Sequence, residues 1–551
     1  MASQGTDEKI QTQKKKQAVV IIHGIGEQVP METLRSFVDA VWVSNPDAIS
    51  RNLADGDNGV APRRRNPVWT KPDKRNRSFE LRRITTEHDR KGKRTDFYEF
   101  YWAHLMHGSR FEQIRAWIFE LLLRSPSRVP HDVRSTWYFA WACIVAIGVG
   151  AAILAWKFPL LFASVTSAIA AIGVAIAWVK SKMVGYLGDI VRYVKADPVN
   201  VARRQEIREN GVQLLETLMG VNPQSVAANL ARKRAGEALE WETQYDRVIM
   251  VGHSLGSIVG YDILKHAYAR VHGLMDGGKK DQPNRYALEE YCRQGLKTDG
   301  SSFQTDDYRE YQRLAFEEQR SHGSPWIVSD FVTLGAALTH SEFLLAETEQ
   351  DAFDQQHKRI LPTCPPILEW DRHTGLEYFS YRQPDDKIGT TEIAAKRGKI
   401  ANPDHFRTPH HAAHFAFTRW TNLHSPKKWI IWGDIVSGPI GDLFGLRQRK
   451  RPSKNLTSLH GALDIPVLEH GKTAKEHMPG AFTHLAYWSI PKALKDKDGQ
   501  VVRMDPPVQT PDHLKQLRDA LDLQFEIDHP KPPPETAPET APETAPAEAG
   551  D

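Results

Sequence analysis

Val248-Ile-Met-Val251, then Gly252-His-Ser-Leu-Gly256, then Ser257-Ile-Val-Gly-Tyr-Asp-Ile-Leu264 constrain this chain more than any other stretch. Four consecutive apolar residues predict a strand buried on both faces, and the apolar pattern after Gly256 predicts a helix that starts at once. A serine at that junction is held in a strained strand-to-helix turn, the arrangement of a nucleophile elbow. Glycines two residues to either side keep the crowded turn free of Cβ clashes. The new helix aims free N–H groups and its positive dipole end at the place where an oxyanion would form. Ser254 is therefore the candidate nucleophile and the Leu255 N–H a candidate oxyanion donor. An inert glycine-rich turn could carry the same pentapeptide, but it would not need a strand before it and a helix after it.

A second half of the same device lies upstream. Ala18-Val-Val-Ile-Ile22 reads as a buried strand and delivers His23-Gly24-Ile25-Gly26-Glu27 at its end. A strand followed by a His-Gly loop can supply the other oxyanion N–H, here from Gly24 or Ile25.

A serine hydroxyl attacks poorly until a histidine takes its proton, and a carboxylate must fix that histidine's tautomer. Behind an elbow serine the acid comes next in the chain and the histidine last. Phe417 to Leu423 and Lys428 to Trp432 read as late extended runs that lead into Gly433-Asp434-Ile-Val-Ser-Gly-Pro439. Asp434, just past an apolar run and among glycines, is the candidate acid, with Asp442 and Asp464 as alternatives. His484, in Thr483-His-Leu-Ala-Tyr-Trp488, is the candidate base, with His477, His470 and His460 as alternatives.

Between the early strands and the elbow lie two uncharged runs, Thr136 to Trp156 and Phe158 to Val179, separated by Lys157. Each is long enough to cross a hydrocarbon core of about 30 Å as a helix. Trp137, Trp141, Trp156 and Trp178 gather toward the ends like an interfacial belt, and Gly148, Gly150 and Gly173 suit close helix packing. Arg124, Arg128 and Arg134 precede the pair and Lys180, Lys182, Arg192 and Lys195 follow it. Positive flanks at both outer ends predict a transmembrane hairpin at 136–179 whose termini and catalytic domain face the cytoplasm of an inner membrane. Hydrophobic cap helices lying in the membrane plane are the competing reading. No secretory signal is expected, because residues 1–16 read as a polar, disordered basic arm.

The remaining segments are organised around these motifs. Met31 to Val43 carries a helical pattern, and the Pro- and Arg-rich stretch 61–77 is expected to be an exposed loop. Asn200 to Leu218 predicts a helix, and Gln224 to Asp246 a polar connection. Residues 273–324 and 350–409 read as polar, cap-like insertions, the second ending in a solvated cluster of His405, His410, His411 and His414. That cluster lacks the partners a metal site needs. Residues 529–551, with Glu-Thr-Ala-Pro repeats, are expected to be disordered. The hydrolase domain would thus comprise 17–135 and 180–528. With 72 basic against 68 acidic residues there is no global signature for binding nucleic acid. Three scattered cysteines, Cys143, Cys292 and Cys364, argue against a disulfide framework.

Gly252-His-Ser-Leu-Gly256 together with His23-Gly-Ile-Gly26 resembles the α/β-hydrolase superfamily of serine hydrolases and lipases. The elbow Gly252 to Asp262 and the His23–Gly26 opening are also similar, more distantly, to intracellular phospholipase A1 enzymes of the DDHD type, and the blocks Trp420-Thr-Asn-Leu423, Gly433 to Pro439 and Thr483 to Trp488 are similar to bacterial membrane-anchored α/β hydrolases. The resemblance implies an α/β fold with a mostly parallel sheet flanked by helices. It also implies ester or lipid hydrolysis without a cofactor or metal. A scaffold or toxin-like membrane protein with a vestigial fold, or an acyltransferase or thioesterase using the same triad, are the alternatives.

Overall fold

The computed structural model describes residues 16–24, 29–45, 48, 65–73, 81–87, 93–106, 198–275, 282–346, 348–372, 374–382, 406–426, 433–434, 436–449, 456–468, 483–490 and 510–523, with scattered positions between 126 and 194. Eight strands form one sheet: β1 (Lys16–Ile22), β2 (Val68–Pro72), β3 (Arg82–Thr86), β4 (Arg94–Phe100), β5 (Arg247–His253), β6 (Val328–Leu334), β7 (Arg419–His424) and β8 (Leu463–Pro466). Their order is β8-β7-β6-β5-β1-β4-β3-β2. All pairings from β8 to β4 are parallel, and only β3 and β2 add antiparallel at one edge. The chain is therefore of the α/β class.

The sequence dictates why the central strands are buried on both faces. In β1, Ala18, Val20 and Ile22 join one core cluster while Val19 and Ile21 join the other. β5 repeats this, with Val248 and Met250 on the first face and Ile249 and Val251 on the second. An unbroken apolar run at period two is what a central parallel strand requires. The first face is covered by α2 (Pro198–Met219) and α4 (Leu255–Val271), the second by α1 (Glu32–Val38) and α7 (Asp512–Leu521).

Several expectations are corrected. The 61–77 stretch is not all loop: Val68–Pro72 pairs antiparallel with β3 as the sheet edge, where lysine, arginine and proline are tolerated because no further strand has to pair there. Lys16 already belongs to β1 and pairs with Arg94. The 224–246 connection contains a helix, α3 (Pro223–Ala235), started by a reciprocal Asn222–Ser225 capping box and Pro223. It was hidden because of its helical side chains only Asn229 is buried.

Residues 273–324 are not a surface excursion. They form α5 (Pro283–Lys297) and α6 (Thr305–Ser321), which pack on the first face of the sheet. Their inward polar groups pair: Arg285 with Glu289, Glu289 with Ser380, and Gln312 with the carbonyls of Phe415 and Thr418. Paired polar groups can be buried, so low hydropathy misleads here. Nor is the histidine cluster solvated. His410 and His414 are buried, His410 donating from Nε2 to the Ile367 carbonyl at 3.0 Å and His414 packing beside Tyr268 and Phe415. His411 is exposed and His405 lies outside the described residues.

The hairpin expectation falls on 136–179, which lies outside the described residues except for helical positions at Trp137, Tyr138, Trp141, Ala142, Val145, Ala146 and Val149. Among the described residues no helix is long and apolar enough to cross a membrane. The arm at 1–15, the run Lys428 to Trp432 and the tail at 529–551 also lie outside.

At the end of the sheet remote from the elbow, Arg247 ties α7 to the strands. Its guanidinium donates to Gln17 Oε1 (2.9 Å), to Asp330 Oδ2 (3.2 Å) and to the Leu521 and Asp522 carbonyls. Burial holds its pKa down to about 10 against the pull of Asp330. Arg247→Ala leaves Asp330 to Arg419 and Ser329 and strands the helix-end carbonyls in a dry site. The expected loss is about 1–3 kcal/mol in urea unfolding.

Candidate active site

The central strands end together on one side of the sheet. β1 is followed by β2 to β4 on one flank and then by β5 on the other, so the chain reverses direction across the sheet between β1 and β5. Crevices at such a switch point, beyond the carboxyl ends of the strands, are where open α/β sheets bind ligands. Gly24 leaves β1 there and Ser254 leaves β5.

Ser254 has φ 53° and ψ −125°, the strained conformation that the motif predicts, and it is buried. Its N–H donates to the Leu334 carbonyl (3.0 Å), and its own carbonyl accepts from the Ser257 N–H (3.0 Å) and Oγ (2.6 Å). These bonds hold the turn in place. The flanking glycines are sterically required: a Cβ on Gly252 would lie 2.7 Å from Ser257 Cα, and one on Gly256 would collide with the Ile22 and His23 carbonyl oxygens.

His484 arrives on a short turn, Thr483–Leu485. Its Nε2 lies 2.8 Å from Ser254 Oγ and its Nδ1 2.9 Å from Asp434 Oδ2. A carboxylate only accepts, so Nδ1 carries the proton and Nε2 is left to accept from the serine. Asp434 is almost wholly buried. Its Oδ2 also accepts from Ser437 Oγ (2.7 Å) and Tyr487 OH (2.8 Å), and its Oδ1 from the Val436 N–H (2.8 Å). Burial pushes this carboxyl up, but the bonds from His484, Ser437 and Val436 override it and bring the pKa from 3.8 to about 2. The ionised form is thus the one that folding favours. Its contribution is present above the unfolded value near 3.8 and is lost as pH falls through about 2. The stability gap between wild type and Asp434→Asn, measured by urea unfolding, is expected to shrink by roughly 2 kcal/mol between about pH 6 and pH 2.

The oxyanion side is equally constrained. Leu255 is the first residue of α4, so its N–H has no intrahelical acceptor. Gly24 packs directly against Ser254: a Cβ there would lie 2.9 Å from Ser254 Cβ and 3.2 Å from His253 Nδ1. The loop is pinned by His23, whose Nδ1 donates to the Gly24 carbonyl (2.8 Å) and whose Nε2 accepts from the Trp102 N–H (3.2 Å). Burial lowers the His23 pKa to about 4. The ring therefore stays neutral and keeps this donor and acceptor assignment. Gly24→Ala must therefore displace the loop. Ile25 lies outside the described residues.

Of the alternatives, Asp464 accepts from Asn422 Nδ2 and the Ile440 and Gly441 N–H groups, which tethers the Asp434 loop to β8. Asp442 pairs with His460 at 2.9 Å on the surface. His470 and His477 lie outside the described residues. Sequence reasoning missed Tyr487, Ser437 and Gly335. Tyr487 lies in the block that carries His484, but nothing in spacing shows that its hydroxyl turns back to the acid. Gly335 has φ 57°, and a Cβ there would lie 2.7 Å from the Tyr487 ring and 3.2 Å from His484 Nδ1. Its place at the end of an apolar strand was the only available signal. Among the described residues no group of three or more histidine, cysteine or acidic side chains is arranged to hold a metal ion. Comparison of the chain with protein-family models, with curated proteins and with solved structures gave no match.

Proposed function

We propose that the protein is a serine hydrolase of the α/β-hydrolase fold that cleaves carboxylic esters, lipids among them, through an acyl-enzyme. The observation that carries this reading is the unbroken chain Ser254 Oγ to His484 Nε2 (2.8 Å) and His484 Nδ1 to Asp434 Oδ2 (2.9 Å), set on a strained elbow at the switch point of a parallel sheet. Ser254 Oγ attacks the ester carbonyl as Nε2 takes its proton, and the negative oxygen falls to the N–H groups of Leu255 and Gly24. His484 then returns the proton to the departing alkoxide. A water, deprotonated by the same Nε2, hydrolyses the acyl-serine. None of these steps calls on a cofactor.

Two surface features favour a lipid substrate at a membrane. Leu485, next to the base, is 75% exposed, which places an apolar side chain beside the site. Tyr138, Val145 and Val149, spaced seven and four apart in the 136–179 segment, are exposed on one helical face. Such a face suits contact with acyl chains, and the positive flanks of the segment favour an inner-membrane protein whose catalytic domain faces the cytoplasm. The test is product analysis with a p-nitrophenyl ester, an acyl thioester and phospholipid vesicles, using full-length protein in detergent. Release of free acid from the ester and the lipid is expected. Turnover of the thioester alone, or acyl transfer to an added alcohol in place of hydrolysis, would contradict the assignment.

A further inference from the structure

We propose that His253 is a positioning residue for the catalytic base: its Nε2–H fixes the His484 carbonyl, and with it the turn that aims the His484 ring at Ser254. The inference rests on the hydrolase reading and adds to it a residue that has no place in the triad.

His253 is the last residue of β5, a central strand whose backbone is registered on both sides, against β1 and, at Leu334, against β6. It is as rigid a platform as the fold contains. His484, by contrast, sits on a single short turn outside the sheet. The link between them is His253 Nε2 to the His484 carbonyl oxygen at 2.9 Å. A carbonyl only accepts, so the proton is on Nε2 and the unprotonated Nδ1 faces the oxyanion loop, 3.2 Å from the Cβ position of Gly24. One ring thus lies between the loop that bears the base and the loop that bears an oxyanion donor. Trp488 meets it edge-on with ring centroids 4.8 Å apart, which fixes the ring plane.

Charge works in the same direction. The rings of His253 and His484 are 5.1 Å apart, and His484 must become a cation during turnover. Burial, then the charge of His484, lower the His253 pKa to about 3, so it does not compete for the proton. A neutral donor is what this position needs, and a lysine or arginine would place a second cation beside the imidazolium.

The test compares His253→Gln, whose amide nitrogen reaches close to the Nε2 position, with His253→Phe, which keeps the ring and loses the donor. Full-length protein in detergent is assayed with a p-nitrophenyl ester. Phe is expected to lower kcat about 10- to 100-fold with KM unchanged, the size of effect that follows from misplacing a reacting group by about 1 Å, and Gln to stay within a few-fold of wild type. Equal kcat in the two variants, whether both intact or both lost, would overturn the proposal. A second arm does not depend on turnover: the downfield proton NMR signal of the His484 Nδ1–H is expected to persist in Gln and to shift or broaden in Phe. If wild type fails to turn over any ester, the hydrolase reading falls, and this signal alone decides whether His253 orders His484.

Discussion

Ser254→Ala and His484→Ala are each expected to lower kcat for a p-nitrophenyl ester by about a million-fold, with the unfolding midpoint of Ser254→Ala close to that of wild type. The size follows from the geometry. Ser254 Oγ has its proton acceptor at 2.8 Å, and His484 has its own orienting carboxylate at 2.9 Å, so removing either group disables the unit. The double variant is therefore expected to be no worse than either single variant, because the second deletion removes a group that no longer acts. Residual hydrolysis above the uncatalysed rate should remain, since the N–H groups of Leu255 and Gly24 do not depend on the triad side chains. Ser254→Ala leaves no buried charge, which is why its stability should hold, whereas His484→Ala takes a donor from the buried Asp434 carboxylate and leaves it to Ser437, Tyr487 and Val436.

Asp434→Asn is the second large effect, about 10⁴-fold in kcat. The carboxylate collects donors from His484, Ser437, Tyr487 and Val436. An amide offers one acceptor oxygen and a nitrogen that only donates, so either His484, Ser437 and Tyr487, which share Oδ2, or the Val436 N–H on Oδ1 must lose its acceptor. Where the amide nitrogen faces Nδ1, the imidazole is driven to the tautomer with its proton on Nε2, which cannot accept from Ser254. Steady-state kinetics should show the loss in kcat, with KM nearly unchanged. Asp434→Ala is expected to be less stable than Asp434→Asn, because Ser437 and Tyr487 would be left buried with hydroxyls that have lost their acceptor.

The parts of the site that depend on local order were legible in the sequence. The elbow announces itself because strand, strained serine and helix are contiguous, and the glycines at 252 and 256 stand where any Cβ would collide. Asp434 and His484 were reachable because an elbow fixes the order of acid and base along the chain. What stayed hidden depends on approach in three dimensions. The Tyr487 hydroxyl reaches Asp434 across 53 residues, and His253 Nε2 reaches the His484 carbonyl across 231. No periodicity records such contacts. The fold shows the same division. β1 and β5 carry continuous apolar runs and were readable, whereas α5 and α6 bury polar side chains that satisfy one another, so their low hydropathy concealed two packed helices. The edge strand β2 was obscured by the lysine and proline that an edge tolerates.

The central claim is that Ser254 is a nucleophile activated by His484 and Asp434. Intact-mass analysis of the full-length protein treated with a fluorophosphonate, followed by peptide mapping, tests it most directly. The account predicts one adduct, on Ser254, whose formation slows steeply in His484→Ala and Asp434→Asn and is absent in Ser254→Ala. An adduct that persists in Ser254→Ala, or labelling of Ser254 at an undiminished rate in His484→Ala, would contradict it.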